Sequence, residues 1–428
     1  MNSRTVAYDI LLKIERDKAY SNLTLDKELS ESNLNSLDKA LASRIVYGVL
    51  ERKITLDYAL NQYIKTGLKK LKPNVRTILR MGAYQILFMD KIPPSAAVNE
   101  SVKIAKKNAQ YASGMVNGVL RNLIRSGFDL PDENDKILYN SIKYSCPEWL
   151  VKLWLDYLGE EDAVKFLEYS LLPPPMYIRV NTTKTTADNL IELFAEKGIT
   201  AEKTDIEDSL LLHGVSDISH LKEYRNGYFY VQDLSSQICA KSLEAESGET
   251  VFDMCCAPGG KTFTIAQTMK NKGEIKAFDI YDSRLKLVDQ SAKRLGIEII
   301  EVKNQDASKY YPELGLADRI LCDVPCSGLG IIRRKPEIKY KDKEELDSLP
   351  EIQYSILTNA SKYLKPSGTM IYSTCTLNPS ENEEVCDRFL SENPGFSKDC
   401  KYRRLLPQND LSDGFFIAKF RKGEQIED

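Results

Sequence analysis

The run Asp253-Met254-Cys255-Cys256-Ala257-Pro258-Gly259-Gly260-Lys261-Thr262 constrains this chain more than any other stretch. Val251-Phe252 close an apolar run that reads as a buried parallel strand, and Phe263, Ile265, Ala266 and Met269 are spaced along one helix face. Strand, glycine turn, helix is the opening unit of a cofactor crevice in an α/β sheet. Two adjacent glycines let the chain turn sharply and let a ligand approach main-chain N–H groups. The helix N-terminus behind them favours a carboxylate or phosphate.

The loop excludes two common cofactor classes. A phosphate loop of the form G-x-x-x-x-G-K-[ST] needs glycine where this chain has Cys255, and G-x-G-x-x-G is absent. What remains is an acid ending a strand, a Pro-Gly-Gly turn, and Asp279 ending the next strand. Asp279 lies about 20 residues beyond the glycines, where a carboxylate meets ribose hydroxyls. A nucleoside without a pyrophosphate fits that pattern, and S-adenosylmethionine is the commonest such cofactor. An ordinary strand-helix turn would carry the same two glycines.

From residue 251 onward, strand and helix patterns alternate. Strands are expected at 251–255, 275–280, 298–303, 318–323, 369–374 and 415–420, with helices at 261–270, 283–295, 351–364 and 381–391. That alternation predicts a doubly wound, mostly parallel Rossmann-like sheet, with ligands at the C-terminal strand ends. Asp253, Asp279, Asp306, Asp323 and Cys375 all fall at such ends. Residues 4–125 instead carry helical stripes with little β-branched alternation, so an all-α module is expected. Residues 129–140 are polar and read as a linker. Between them and the sheet, strands near 177–181, 210–212 and 228–232 and a helix over 187–197 suggest a small α+β domain. The 428 residues thus divide as 1–140 all-helical, 141–235 α+β and 236–428 α/β.

Composition narrows the class. Hydrophobic residues make up 42% and charged ones 28%, a globular balance, and no apolar stretch reaches a membrane span. The N-terminus has no apolar signal core, so a cytoplasmic protein is expected. Nine cysteines without a Cys-x-x-Cys, and only His213 and His220, argue against structural zinc, disulfides or any metal site. A monomer is expected.

Charge is unevenly spread. Residues 1–140 carry 22 basic against 15 acidic side chains, while the whole chain has a net charge of −3. Lys65, Lys69, Lys70, Lys72, Arg76 and Arg80 occur with no acid between Asp57 and Asp90. Such a run can be a solvated helix face. With Lys103, Lys106 and Lys107 it makes a candidate phosphate footprint, in which Lys69, Lys70, Lys72, Arg76 and Arg80 are expected to contact RNA.

Two thiols stand at adjacent strand ends. Asp323-Val324-Pro325-Cys326-Ser327-Gly328-Leu329-Gly330 follows one strand as an irregular loop, and Ser373-Thr374-Cys375-Thr376 follows the next. A single cysteine is usually a small buried hydrophobe. Two beside one cofactor crevice suggest chemistry. An amine or hydroxyl acceptor needs no thiol, having its own lone pair. Carbon 5 of a pyrimidine becomes nucleophilic only after a nucleophile adds to C6, a step suited to a thiolate. An acid must then meet N3 as charge develops, and the adduct must later eliminate. Asp323, Cys326 and Cys375 supply these parts.

These residues resemble known families. Leu79-Arg80-Met81-Gly82-Ala83-Tyr84-Gln85-Ile86-Leu87, Ile92-Pro93-Pro94, Val98-Asn99-Glu100-Ser101-Val102 and Val116-Asn117-Gly118-Val119-Leu120-Arg121 resemble the NusB family of all-helical RNA-binding proteins. Residues 141–428 resemble the RNA cytosine-C5 methyltransferases on Cys255–Thr262, Asp279, Asp306, Asp323–Gly328, Ser373–Thr376 and Asp413–Phe420. Pro147-Glu148-Trp149 and Arg179-Val180-Asn181-Thr182 match the segment preceding that family's catalytic domain. Cys256 beside Cys255 departs from many relatives, which have alanine nearer the turn.

The resemblance implies S-adenosylmethionine-dependent methylation at C5 of a cytosine in small-subunit ribosomal RNA. It implies that Cys375 is the nucleophile and Cys326 assists product release, roles that spacing leaves open. It implies that Cys255, Cys256, Ala257, Pro258, Gly259, Gly260 and Lys261 cradle the methionine part, with Asp279 at the ribose and Asp306 at the adenine. Asp323 and Lys261 stand with both the cofactor and the catalytic groups. The target base has to be unpaired or flipped to enter such a site. The same chemistry on transfer RNA is an alternative. A non-catalytic RNA-binding assembly factor is another, against which the intact thiols and carboxylates argue.

Overall fold

The stripes over residues 4–125 fold as helices: α1 (Ser3–Asp17), α2 (Ser21–Glu31), α3 (Ser36–Glu51), α4 (Lys53–Asn61), α5 (Pro73–Phe88), α6 (Pro94–Asn108) and α7 (Ser113–Ser126). This computed structural model describes residues 2–17, 21–215 and 217–424. Local chemistry sets the helix ends. Asn35 Oδ1 accepts the Asp38 N–H at 2.8 Å and caps α3. Pro73 and Pro94 open α5 and α6, where a missing N–H loses nothing. Ile10, Ile45, Ile78, Leu79 and Leu120 are fully buried between these helices. Gly82 lets α5, α6 and α7 approach closely, since a Cβ there would lie 2.5 Å from Leu120 Cδ1 and 2.8 Å from Ser101 Oγ.

The expected linker is partly helix. Asp135 accepts the Leu138 N–H at 3.0 Å and starts α8 (Lys136–Tyr144), followed by α9 (Glu148–Leu158) and α10 (Glu160–Tyr169). The acid that looked like linker polarity is a helix cap. Trp154 and Phe166 pack edge to face across α9 and α10, centroids 4.8 Å apart. Contacts divide the chain into two compact units. The helical one runs to Leu172 and includes Ile332–Lys341; the other holds Pro173–Ile331 and the chain from Asp342 onward. In the helical unit, Tyr340 Oη donates to Leu50 O at 2.8 Å and Lys339 Nζ to Glu51 O at 2.8 Å.

The basic stretch needs one correction. Arg80 is 7% exposed. Its Nε and Nη2 donate to Asp57 at 2.6 and 2.8 Å, and its Nη1 to Glu15 at 2.7 Å. Arg76 donates to Glu15 at 2.6 Å and to the Lys69 and Leu71 carbonyls, both at 3.1 Å. The acids missing from the local sequence arrive from α1 and α4. Arg80 is therefore a structural ion-pair centre rather than a phosphate contact, and Arg76 is held beside it. Lys69, Lys70 and Lys72 are exposed.

The second unit begins with β1 (Met176–Val180), α11 (Ala187–Ala195), β2 (Thr200–Lys203), β3 (Ser209–His213), α12 (Lys222–Arg225) and β4 (Phe229–Val231). The strands form an antiparallel sheet in the order β2-β3-β1-β4. Ile178, Val180, Leu190, Phe194, Leu210 and Phe229 fill its core. Then come α13 (Leu234–Ser242), β5 (Thr250–Asp253), α14 (Gly260–Thr268), β6 (Glu274–Asp279), α15 (Asp282–Leu295), β7 (Ile300–Asn304) and β8 (Ala317–Asp323). The chain continues through α16 (Leu349–Ser361), β9 (Leu364–Thr374), α17 (Glu383–Glu392), β10 (Phe396–Lys398), β11 (Arg403–Leu405), α18 (Pro407–Asp410) and β12 (Phe415–Lys422).

The large sheet runs β10-β12-β9-β8-β5-β6-β7, with β11 beside β12. Strands β7, β6, β5, β8 and β9 are parallel, and β12 is antiparallel to β9. Strand order reverses between β5 and β8, which opens a crevice there. Successive side chains face opposite layers. Val251 and Ile371 pack with Ile238, Phe263 and Val288 of α13, α14 and α15. Phe252 and Met370 pack with Leu357 and Phe389 of α16 and α17. Burying each such side chain contributes about 1.5–3 kcal/mol and fixes where the strands end. Among the described residues no helix is long and apolar enough to cross a membrane.

The Arg80 assignment can be tested by urea denaturation. Arg80→Ala leaves Asp57 without this partner and Glu15 with Arg76 alone, and should lower stability by about 3 kcal/mol. Lys69→Ala should stay within about 0.5 kcal/mol of the wild type. Equal, small effects would return Arg80 to the solvated surface.

Candidate active site

Five polar positions gather at the C-terminal edge of the parallel strands. Asp253 ends β5, Asp279 ends β6, Asp323 ends β8, Asp306 follows β7 and Cys375 follows β9. The turn after β5 depends on Gly259. Its φ of +105° suits glycine, and a Cβ would strike the Phe263 ring at 2.4 Å. The Gly259 N–H donates to Cys256 O at 2.7 Å, and α14 starts at the next residue.

A cavity of about 220 Å³ opens over this turn. Asp253, Cys255, Cys256, Ala257, Pro258, Gly260, Lys261 and Asp323 line it, and Val231, Gln232, Asp233 and Ser236 close it from the β4–α13 segment. Asp253 is 1% exposed, and its Oδ2 accepts the Thr262 hydroxyl at 2.7 Å. Its Oδ1 has no hydrogen bond of ordinary geometry among the described residues. Burial pushes this carboxyl up to about 7; the Cys255 N–H offsets that only slightly. Gln232 is also buried. Its Oε1 accepts from Thr264 at 2.8 Å, while its Nε2 has no partner among the described residues. Both residues line the same cavity, and each keeps one buried polar atom without a partner.

Lys261 Nζ lies 2.8 Å from Asp323 Oδ2 and 3.2 Å from Ser236 Oγ. It also stands 4.9 Å from the Phe415 ring centroid. Burial is the largest influence and works against the ammonium, yet Asp323 together with the charges at Cys239 and Cys375 holds its pKa above the ordinary value. Asp323 Oδ1 accepts the Ser373 hydroxyl at 2.9 Å.

Cys326 Sγ and Cys375 Sγ are 3.2 Å apart. All nine cysteines are thiols rather than disulfides. The Cys326 thiol is raised well above its usual range by its hydrogen bond to Cys375, by burial and by the charges at Cys375 and Glu381. In this contact either sulfur can donate to the other. Burial raises the thiols of Cys255 and Cys256 in the lining, and of Cys322 in the core behind it, as well. The Gly330 N–H donates to Cys375 O at 2.9 Å, and the Gly414 N–H to Gly330 O at 2.9 Å. A Cβ on Gly330 would lie 2.0 Å from Gly414 O, so three segments meet there through bare backbone.

The remaining expected positions stand apart from the cavity lining. Asp279 Oδ1 accepts the Tyr281 N–H at 2.9 Å, and its Oδ2 lies 3.2 Å from Arg284. Arg284 also donates to Ala257 O at 2.8 Å and so ties Asp279 to the turn. Asp306 Oδ1 accepts the Ser308 hydroxyl and N–H at 2.6 and 3.0 Å, which lowers its pKa. Ser373 lay in a quoted motif without a role, whereas Gln232, Ser236, Arg284 and Glu381 stood outside every motif. Only Gln232 carried a faint signal, a polar residue closing the apolar strand Tyr228–Val231.

The sheet order, the crevice and the helical unit define a methyltransferase that carries an RNA-binding domain. Three family descriptions match: NusB family over residues 1–125, a ferredoxin-like domain of RsmF/B-like methyltransferases over 146–219, and 16S rRNA methyltransferase RsmB/F over 240–421. The probable ribosomal RNA small subunit methyltransferase B of Bacillus subtilis (strain 168) is 40% identical, with 98% of each chain covered. The ribosomal RNA small subunit methyltransferase B of Klebsiella pneumoniae (strain 342) is 32% identical over 99% of this chain and 98% of its own. The crystal structure of PH0851 covers 99% of both chains with a TM-score of 0.82 at 24% identity, a likeness of fold. That of NSun6 from Pyrococcus horikoshii with SFG reaches 0.61 at 25% identity, over 66% of this chain and 99% of the other. The chain belongs to the RsmB/F family of 16S rRNA methyltransferases.

The raised Asp253 carboxyl predicts a pH effect on stability. Between its unfolded value of 3.8 and about 7 the folded protein keeps a proton that the unfolded chain has lost. This group's contribution is therefore fully present below 3.8 and lost as pH rises through about 7. Melting curves of wild type and Asp253→Asn between these limits should diverge, the wild type losing ground as pH rises. A constant offset would show an ordinary carboxyl.

Proposed function

We propose that this protein methylates C5 of a cytosine in small-subunit ribosomal RNA, using S-adenosylmethionine and a covalent bond from Cys375 to C6. The observation that carries the reading is the 3.2 Å sulfur pair together with the Lys261–Asp323 ion pair of the cavity lining, whose ammonium feels the charge at Cys375. The cavity suits the amino-acid end of that cofactor. Asp253 Oδ1 is an unused acceptor for an ammonium, and Gln232 Nε2 an unused donor for a carboxylate. The relative solved with SFG, an S-adenosylmethionine analogue, supports the same choice. Asp279 is proposed for the ribose and Asp306 for the adenine. When bound, S-adenosylmethionine supplies an electrophilic methyl group.

The chain's own groups divide the remaining work. In this reading Cys375 carries the negative charge of the pair and Cys326 stays protonated beside it. The Lys261 ammonium lies within electrostatic reach of that charge. Cys375 Sγ bonds to C6, and the C5=C6 electron pair moves into the ring. Asp323, fixed by Lys261 and Ser373, meets N3 as charge develops there. After methylation the C5 proton passes to a water molecule acting as base, its bonding pair restores C5=C6, and the S–C6 pair returns to Cys375. Cys326, already against that sulfur, assists the release. Exposed Lys69, Lys70 and Lys72 are proposed to hold RNA phosphates, with Arg76 and Arg80 shaping the surface beneath them.

Labelled RNA and a denaturing gel test the mechanism. Cys375→Ala should abolish turnover and leave no adduct. Cys326→Ala should attack and methylate but release slowly, accumulating a protein–RNA adduct when S-adenosylmethionine is present. An adduct in Cys375→Ala, or none in Cys326→Ala while the wild type turns over, reverses the assignment.

A second experiment addresses docking. Changing Lys69, Lys70 and Lys72 together to Glu should weaken RNA binding and flatten its dependence on salt. Cofactor affinity should not move. Unchanged RNA affinity at low salt would make these lysines an ordinary solvated face.

A further inference from the structure

Behind the two thiols lies a carboxylate that the proposed chemistry does not use. Glu381 follows Cys375 in the run Thr376-Leu377-Asn378-Pro379-Ser380-Glu381-Asn382 and is fully buried, at 0% exposure. A buried carboxylate needs compensation, and four donors supply it. Its Oε2 accepts the Ser327 N–H at 2.8 Å and Gln353 Nε2 at 3.0 Å. Its Oε1 accepts Ser327 Oγ at 2.5 Å and Asn378 Nδ2 at 3.0 Å. Four donors fill the acceptor capacity of a carboxylate. Two of them belong to Ser327, next to Cys326. Gln353 extends the tie, since its Nε2 also donates to Pro325 O at 3.0 Å, on the other side of Cys326. The loop bearing Cys326 is thus held on both flanks from one buried group.

The next residue does the same for the other thiol. Asn382 Oδ1 accepts the Thr374 hydroxyl at 2.6 Å, and its Nδ2 donates to Thr376 O at 3.0 Å. Thr374 and Thr376 flank Cys375. Ser327 Oγ and Thr376 Oγ1, 2.7 Å apart, join the two sets. Two consecutive buried side chains therefore reach the neighbours of both sulfurs. An apolar pair of similar size would pack here without any desolvation penalty. Polar groups at this point specify a geometry that packing alone would not.

We propose that Glu381, seconded by Asn382, is the positioning residue that sets the distance between Cys326 and Cys375. Glu381 touches neither reacting atom; it acts through Ser327 and Gln353. The inference rests on the reading of the two thiols as the reacting pair. It requires that loosening Glu381 change how often the sulfurs meet, and not merely how stable the fold is.

The test therefore reads sulfur–sulfur encounter apart from catalysis. The full-length protein is treated with diamide, a thiol oxidant, and Cys326–Cys375 disulfide formation is timed by peptide mass mapping. In parallel, kcat, KM and adduct yield are measured, the last on RNA carrying 5-fluorocytosine, whose C5 fluorine blocks release. Glu381→Leu removes every acceptor and should slow disulfide formation about tenfold and kcat about a hundredfold, as displaced reacting groups do. RNA KM and cofactor affinity should stay within about twofold. Glu381→Gln can keep the oxygen facing the Ser327 N–H and should recover both rates to within about threefold of the wild type. If Glu381→Leu does not fold, Ser327→Ala carries the test, with both rates expected to fall about threefold. A folded Glu381→Leu, or a Ser327→Ala, with wild-type rates overturns the proposal. So does a variant whose melting temperature alone changes. A wild type that couples its thiols but forms no fluorocytosine adduct fails the functional reading, and that outcome is separate from the coupling measured in the variants.

Discussion

A buried ammonium needs an anion close by, and the active-site edge of this protein is arranged around one such pair. Lys261 Nζ and Asp323 Oδ2 lie 2.8 Å apart, with side-chain exposures of 12% and 29%. Removing either partner would strand the other charge, a loss of several kcal/mol by analogy with other buried pairs. The pair links two strand ends. Lys261 stands in the first turn of α14, just after β5, Asp323 closes β8, and these strands pair in parallel at the point where sheet order reverses. Asp323's second oxygen takes the Ser373 hydroxyl from β9. Lys261 also eases the neighbouring Asp253, whose proton is otherwise favoured by burial and by Asp323. One ion pair thus couples the cofactor side of the crevice to the strand that delivers Cys375.

The sheet makes that pair possible because its two faces are apolar and its C-terminal edge is not. Val251 and Phe252 point to opposite helical layers. Once the ladder and both layers are in place, the strand ends have little freedom. Side chains that leave the ladder at Asp253, Asp323 and Thr374 inherit that rigidity. The glycine contacts carry it into the loops, as Gly330 does between Cys375 and Gly414.

The sequence made much of this legible, for uneven reasons. Six of the eight strands of the large sheet were readable, all but the short β10 and β11, because buried strands are short apolar runs between glycine, proline and polar punctuation. Asp253, Lys261, Asp323, Cys326 and Cys375 were readable because loops at strand ends place unusual residues in fixed spacing. β2 went unread: it has the pattern Thr200-Ala201-Glu202-Lys203, a mostly exposed strand without an apolar face. α8 was hidden because its capping acid resembles linker composition. Arg80 misled because charge balance was judged along the chain, whereas Glu15 and Asp57 approach it through space. The return of Ile332–Lys341 to the helical unit is likewise a three-dimensional fact, held by Tyr340 and Lys339 contacts that no local pattern announces. Glu381 escaped because a polar run reads as surface, and nothing local says that four donors will surround it.

Buried charge alone does not mark a functional site in this protein; unfinished hydrogen bonding at a cavity does. Arg80 and Lys261 are both buried cations facing carboxylates. Around Arg80, Glu15 and Asp57 take up three guanidinium nitrogens at 2.6–2.8 Å, so the cluster is closed on itself. Around Lys261, Asp253 Oδ1 and Gln232 Nε2 are left unmet in the lining of one cavity. Each such orphan weakens the fold by roughly 1–3 kcal/mol unless something else binds it. A chain selected for stability alone would have paired them or replaced them with apolar groups. An acceptor and a donor left open together, beside an ion pair and two touching thiols, fit a fold whose hydrogen bonding is completed by its ligand.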